Sequence, residues 1–168
     1  MKQGDQNMPS ADIFDRLKQD HDRHRELLDQ ISGTDNDGEK RQSLFDDLKV
    51  EVTAHAAAEE ETLYATMLAR EELRHDAVHS VSEHKEIGDM LEELAEMDTS
   101  SSDWSSKFKT LKEEYTHHID EEEEEMFPAA AEGLDDDKVV ELRALFEKRK
   151  PREIERAEVG ADEGDDRE

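Results

Sequence analysis

Residues 55–64 read HAAAEEETLY and residues 118–127 read HIDEEEEEMF, each with a histidine four positions before a glutamate. On a helix, positions i and i+4 share one face about a turn apart. His55 with Glu59, and His118 with Glu122, therefore lie on single stripes. Both stripes begin apolar: Leu48 and Val52 lead into the first, and Phe108, Leu111 and Tyr115 lead into the second. Ligand-type side chains stand where a helix would bury its core.

Moving outward, a shift of 63 positions superposes the two halves without a gap. Asp20-His21 falls on Glu83-His84, Leu28 on Leu91, Ile31 on Leu94, Phe45 on Phe108, Leu63 on Met126 and Tyr64 on Phe127. Such a repeat predicts two helical hairpins of one design in pseudo-two-fold relation. His21 continues the stripe of Leu17 and Leu28, and His84 lies between Val81 and Leu91. Each of four helices then aims at least one polar group inward near its middle.

The helices follow from apolar spacing and turn residues. The first starts after an N-cap at Ser10 and carries Ile13, Leu17, Leu28 and Ile31 up to SGTDNDG (32–38). A second runs from about Glu39 to about Arg70. A third carries Val78, Val81, Ile87, Leu91 and Leu94, and DTSSSD (98–103) ends it. A fourth carries Trp104, Phe108, Leu111, Tyr115 and Met126. After Gly133, a short helix with Val139, Leu142, Leu145 and Phe146 is expected to cover one end. Residues 1–9 read as a flexible lead, 10–150 as one all-α domain, and 151–168 as a disordered acidic tail without core residues.

Composition agrees. Only 33% of the 168 residues are apolar, which suits a bundle that buries one stripe per helix. The net charge of −27 predicts repulsion from nucleic acid and from anionic membrane. It also destabilises the compact state unless salt screens it, so a halophilic-type cytoplasm is expected. There is no cysteine, which removes thiolate sites and disulfides, and no apolar run of spanning length or signal-peptide pattern.

Two carboxylates and four imidazoles in one interior are costly unless paired or bound to metal. Two divalent cations resolve the cost, with carboxylates bridging and neutral imidazoles filling the remaining positions. A single inward histidine is more often a hydrogen-bonded core residue, and the run EEEEE (121–125) is mostly a solvated face. Four histidines and two glutamates obeying one repeat favour metal. The expected ligands are His21, His55, Glu59, His84, His118 and Glu122.

The repeat sorts the other histidines. His24 maps onto Ile87, so it is kept outside the ligand set, as an outer support or less readily an extra ligand, and leucine there is expected to be tolerated far better than alanine at His55 or His118. His75 and His79 map onto Asp12 and Arg16, which reads as surface with a weak metal signal of its own, and His117 maps onto Ala54.

DHDRHRELL (20–28), HAAAEEETLY (55–64), EHKEIGDML (83–91) and HHIDEEEEEMFP (117–128) resemble, in order and spacing, the four signature pieces of the hemerythrin-like HHE cation-binding domain. The resemblance covers about residues 10–130 and implies an up-down-up-down four-helix bundle with the same six ligands. It implies a non-haem di-iron centre, two iron ions with a bridging oxo or hydroxo group. Nitrogen and oxygen donors with bridging carboxylates suit iron, manganese or cobalt, and the resemblance favours iron. Oxygen-carrying hemerythrins have a fifth histidine and an HxxxxD pair, which this chain lacks at the aligned places. The rival ferritin-like pattern, ExxH on two helices, is present at Glu72-His75 and Glu114-His117 but off the apolar stripes.

The expected function is binding or sensing of O₂, NO or peroxide, or iron and redox-stress handling. The alternatives are a di-iron enzyme decomposing peroxide or repairing iron centres, and a metal-free interaction bundle. Besides the ligands, no general acid or nucleophile stands out.

Overall fold

The computed structural model describes residues 12–34 and 37–163. All regular structure among them is helical. The long helices are α1 (Ile13–Ser32), α2 (Gly38–Glu59), α4 (Glu71–Ala95) and α5 (Ser102–Glu121). A short α3 (Ala65–Leu68) and a seven-residue α6 (Phe127–Gly133) follow α2 and α5, and α7 (Asp136–Glu163) ends the described chain. α1 packs on α2 and α5, α4 packs on α5 and α2, and α7 lies across α1 and α2.

Short polar side chains start these helices. Asp12 caps α1 by accepting from the Asp15 amide at 3.0 Å, Asp37 caps α2 through Lys40, and Ser101 caps α5 through Trp104. The cap expected at Ser10 and the lead at 1–9 lie outside the described residues, and Asp12 takes the capping role. The second expected helix is also interrupted. After Glu59 the chain widens into a π turn, Glu60–Tyr64, and the same happens after Glu121, over Glu122–Met126. One extra residue per turn rotates the following face by about 100° and brings Tyr64 and Phe127 inward.

The core divides in two. Ile13, Leu17, Leu63, Met67, Phe127 and Phe146 belong to one apolar cluster, and Leu28, Ile31, Phe45, Leu91, Trp104 and Phe108 belong to the other. Between them on α1 come His21 and His24, both fully buried. Two core expectations fail. Val78 is 54% exposed, because the inward face of α4 runs through Leu73, Ala77, Ser80 and His84, and Val78 falls one position off it. Leu145 is 43% exposed beside the buried Leu142 and Phe146 for the same reason.

The carboxy-terminal helix is long where a short one was expected, and residues 151–163 are helical where a disordered tail was expected. Pro151 lies inside α7 and is exposed. Its missing N–H and ring clash cost a helix interior about 3 kcal/mol. Buried anchors on either side offset that cost: Lys150 reaches Asp20 at 2.9 Å and also Glu51, and Glu153 is buried two residues beyond the proline. Residues 164–168 of the expected tail lie outside the described set.

Candidate metal centre

The six expected residues converge between the two apolar clusters. His21, His55, Glu59, His118 and Glu122 are each at most 2% exposed, and His84 is 9% exposed at one edge. The imidazoles come in two pairs: His21 and His55 have ring centroids 5.2 Å apart, and His84 and His118 have them 4.9 Å apart.

Each carboxylate stands between one ring of each pair. Glu59 Oε1 lies 3.3 Å from His55 Nε2 and 3.5 Å from His84 Nε2. Glu122 Oε1 lies 3.2 Å from His21 Nε2 and 3.8 Å from His118 Nε2. Despite this crowding the facing atoms are unsatisfied. His21, His55 and His118 Nε2, both Glu59 oxygens and Glu122 Oε1 have no hydrogen-bond partner of acceptable geometry. Among the described residues no other buried side-chain atom is in this state. Leaving several such groups in one interior is strongly unfavourable, so the concentration asks for a ligand.

The outer nitrogens, in contrast, are all held. His55 Nδ1 meets Asp20 at 2.8 Å and His118 Nδ1 meets Glu83 at 2.6 Å. His21 Nδ1 meets Glu123 at 2.7 Å and His84 Nδ1 meets Glu60 at 2.8 Å. In sequence Asp20 lies 63 positions before Glu83, and Glu60 lies 63 positions before Glu123. A carboxylate on Nδ1 fixes the ring and leaves Nε2 facing inward, which is the usual outer support of a metal-bound histidine.

Burial dominates the electrostatics. It pushes Glu59 well above the usual carboxylate range, and the adjacent Glu122 charge adds to the effect. Burial also opposes ionisation of Glu122, but Glu59, His118 and His21 outweigh it and hold Glu122 well below that range. Without a cation Glu59 therefore favours its neutral form beside an ionised Glu122. Burial lowers His55 to about 3 despite Asp20. Burial works against protonation of His21 too, but Glu122 and Glu123 outweigh it and raise that ring.

Several participants escaped the sequence reading. Tyr64 donates its hydroxyl to Glu122 Oε2 from a fully buried position, whereas its repeat mate Phe127 has none to give. Tyr64 stacks on His84, and Phe127 stacks on His21. The tyrosine–phenylalanine pairing in the repeat was the available signal. His24 corrects an expectation. Its Nδ1 bonds the Tyr115 hydroxyl at 2.7 Å and its Nε2 lies 3.3 Å from Glu51, which in turn holds Lys150. Leucine at 24 would leave the Tyr115 hydroxyl without this partner, a cost that the apolar repeat mate Ile87 did not signal. In the other half the equivalent pair, Ile87 and Val52, is apolar. His75, His79 and His117 are exposed, as expected.

Comparison with known proteins identifies the family and the fold. The model of the hemerythrin HHE cation binding domain family matches residues 12–130, and the chain belongs to that family. Its structure is similar to the crystal structure of a hemerythrin HHE cation binding domain-containing protein from Mycobacterium kansasii. The TM-score is 0.78 at 26% identity, covering 89% of this chain and 91% of the other. A protein of Nostoc sp. (strain PCC 7120) described as a DNA nickase is 25% identical over 134 residues, 80% of this chain. The match spans only 38% of that relative's length. No helix among the described residues is long and apolar enough to cross a membrane.

Proposed function

We propose that the chain binds two metal ions, most simply iron, between His21–His55 on one side and His84–His118 on the other, with Glu59 and Glu122 bridging. The observation that carries this reading is the set of six unpaired buried atoms, all on expected ligands. Two divalent cations would give the unpaired imidazole nitrogens and carboxylate oxygens partners, and the outer carboxylates of Asp20, Glu60, Glu83 and Glu123 stand close enough to help balance the added charge. Asp20, Glu60, Glu83 and Glu123 would orient the four rings and raise their basicity. The same reading treats α1, α2, α4 and α5 as an up-down-up-down four-helix bundle made of two hairpins in pseudo-two-fold repeat. The paired carboxylates at one sequence offset support it.

Iron bound there would supply one-electron chemistry toward O₂, NO or peroxide. The protein's own contribution is access and exclusion. A mostly apolar groove of about 320 Å³ between α2 and α4, lined by Val52, Ala56, Val81 and Leu91 together with the charged Glu60 and Lys85, reaches His84. Its lining suits a small neutral diatomic better than a charged substrate. A gas-binding or redox-stress role in the cytoplasm is therefore preferred over a dedicated enzyme. The case against a nucleic-acid partner rests on charge alone, 49 acidic against 22 basic residues.

Elemental analysis and Mössbauer spectroscopy of untagged protein test the centre. Two iron ions per chain are expected, and less than about half an equivalent of any transition metal would favour a metal-free interaction bundle. Stopped-flow mixing of anaerobically reconstituted protein with O₂, NO and H₂O₂ tests the role. A stable complex with a diatomic supports binding, whereas rapid multiple turnover of H₂O₂ supports the enzyme alternative.

A further inference from the structure

A second group of metal-type ligands lies on the surface beside the interior centre. His79 Nε2 is 3.1 Å from Glu83 Oε2 and 3.6 Å from Glu121 Oε1. The three can each offer one atom to a single cation. Glu83 faces both ways, because its other oxygen holds His118 Nδ1 at 2.6 Å. An exposed ion pair alone would mean little. Here, however, two of the three, His79 and Glu121, line a cleft of about 230 Å³ that also includes His75, Asp76 and Glu125. His118 and Glu122 line its inner part, each 2% exposed, with His118 Nε2 and Glu122 Oε1 unpaired.

We propose that His79, Glu83 and Glu121 form a capture site for a divalent transition-metal cation, from which the cation passes down this cleft to His118 and Glu122. The inference rests on the interior reading above. One neutral imidazole and two carboxylates balance a divalent charge while leaving most of the coordination to water, so the ion is held without being trapped. Asp76 and Glu125 keep the path negative. The net charge of −27 raises the local cation concentration around it. This polar path is separate from the apolar groove at His84, which gives cations and neutral gases different entrances.

The test compares the full chain with H79A/E121Q, which spares Glu83 and the interior residues. Mn(II) alone is titrated into protein whose interior was first loaded anaerobically with Fe(II), and free Mn(II) is read by EPR. The native chain is expected to bind one Mn(II) more than the variant. In parallel, apo-protein is mixed with Fe(II) and chelator-resistant iron is followed in time. The variant is expected to fill about tenfold more slowly, to the same final iron content and melting temperature. Equal Mn(II) binding and equal filling rates would overturn the proposal, as would a variant that fills at the native rate but to a lower level. If neither protein ever holds interior iron, the interior assignment fails and the loading route falls with it, whereas native-rate filling in the variant sinks the route alone.

Discussion

Tyr64 donates its hydroxyl to Oε2 of Glu122, the oxygen opposite the one that faces His21 and His118. The bond joins the two halves of the chain, from the π turn after α2 to the π turn after α5. It leaves only one Glu122 oxygen unpaired. Phe127, in the equivalent place, gives Glu59 no such support, and both Glu59 oxygens are unpaired.

Tyr64→Phe should therefore destabilise the metal-free protein by about 1.5–3 kcal/mol, the usual worth of a hydrogen bond to a charged group. Metal loading should shrink the difference, because a cation then compensates Glu122. Urea denaturation of apo and loaded forms measures both, and an equal loss in the two would contradict the assignment.

His118→Ala should lower metal content from two ions to one per chain, and His55→Ala should do the same from the other pair. In each variant a buried carboxylate loses compensation, so melting temperature falls together with metal content. Full iron with unchanged melting in both variants would rule these residues out as ligands.

His24→Leu keeps the volume but leaves the Tyr115 hydroxyl without its 2.7 Å partner. Leaving a buried polar group unsatisfied costs about 1–3 kcal/mol. The double variant with Tyr115→Phe should recover part of that loss, since the other half packs Ile87 and Val52 in apolar form. A denaturation cycle over the four proteins gives the coupling.

Glu51 contributes a definite acid sensitivity. Burial opposes its ionisation, but His24 and Lys150 outweigh burial and lower it from 4.5 to about 2. A carboxylate depressed in the folded state stabilises the protein above the unfolded value, and that stabilisation is lost as pH falls from 4.5 towards 2. Melting of apo-protein against pH should show this decline, and Glu51→Gln should be less stable near neutrality with a shallower acid slope.

Salt should raise the melting temperature. At a net charge of −27, screening removes self-repulsion among exposed carboxylates. A KCl series from dilute to molar checks this, and a flat or falling curve would refute the halophilic reading.

The convergence of the six residues was legible because histidine and glutamate interrupt apolar stripes at helical spacing and do so twice at one offset. Local periodicity places a residue on a face, and an internal repeat tells which faces meet. Periodicity was less decisive for Val78 and Leu145, where one step along a helix moves a side chain from core to water. It failed for residues 151–163, which carry almost no apolar stripe and are anchored instead by Lys150 and Glu153.

The amino-acid sequence by itself thus determined the helical class, the family resemblance and the inward placing of the six histidine and glutamate side chains. All three depend on spacing along the chain. Only the tertiary structure decided that Asp20, Glu60, Glu83 and Glu123 hold the outer ring nitrogens, that Tyr64 supports Glu122, and that His24 belongs to a buried network with Tyr115, Glu51 and Lys150. These pairings join residues from 24 to 102 positions apart. In so acidic a chain many carboxylates could reach each histidine, and helix packing alone selects the one that does.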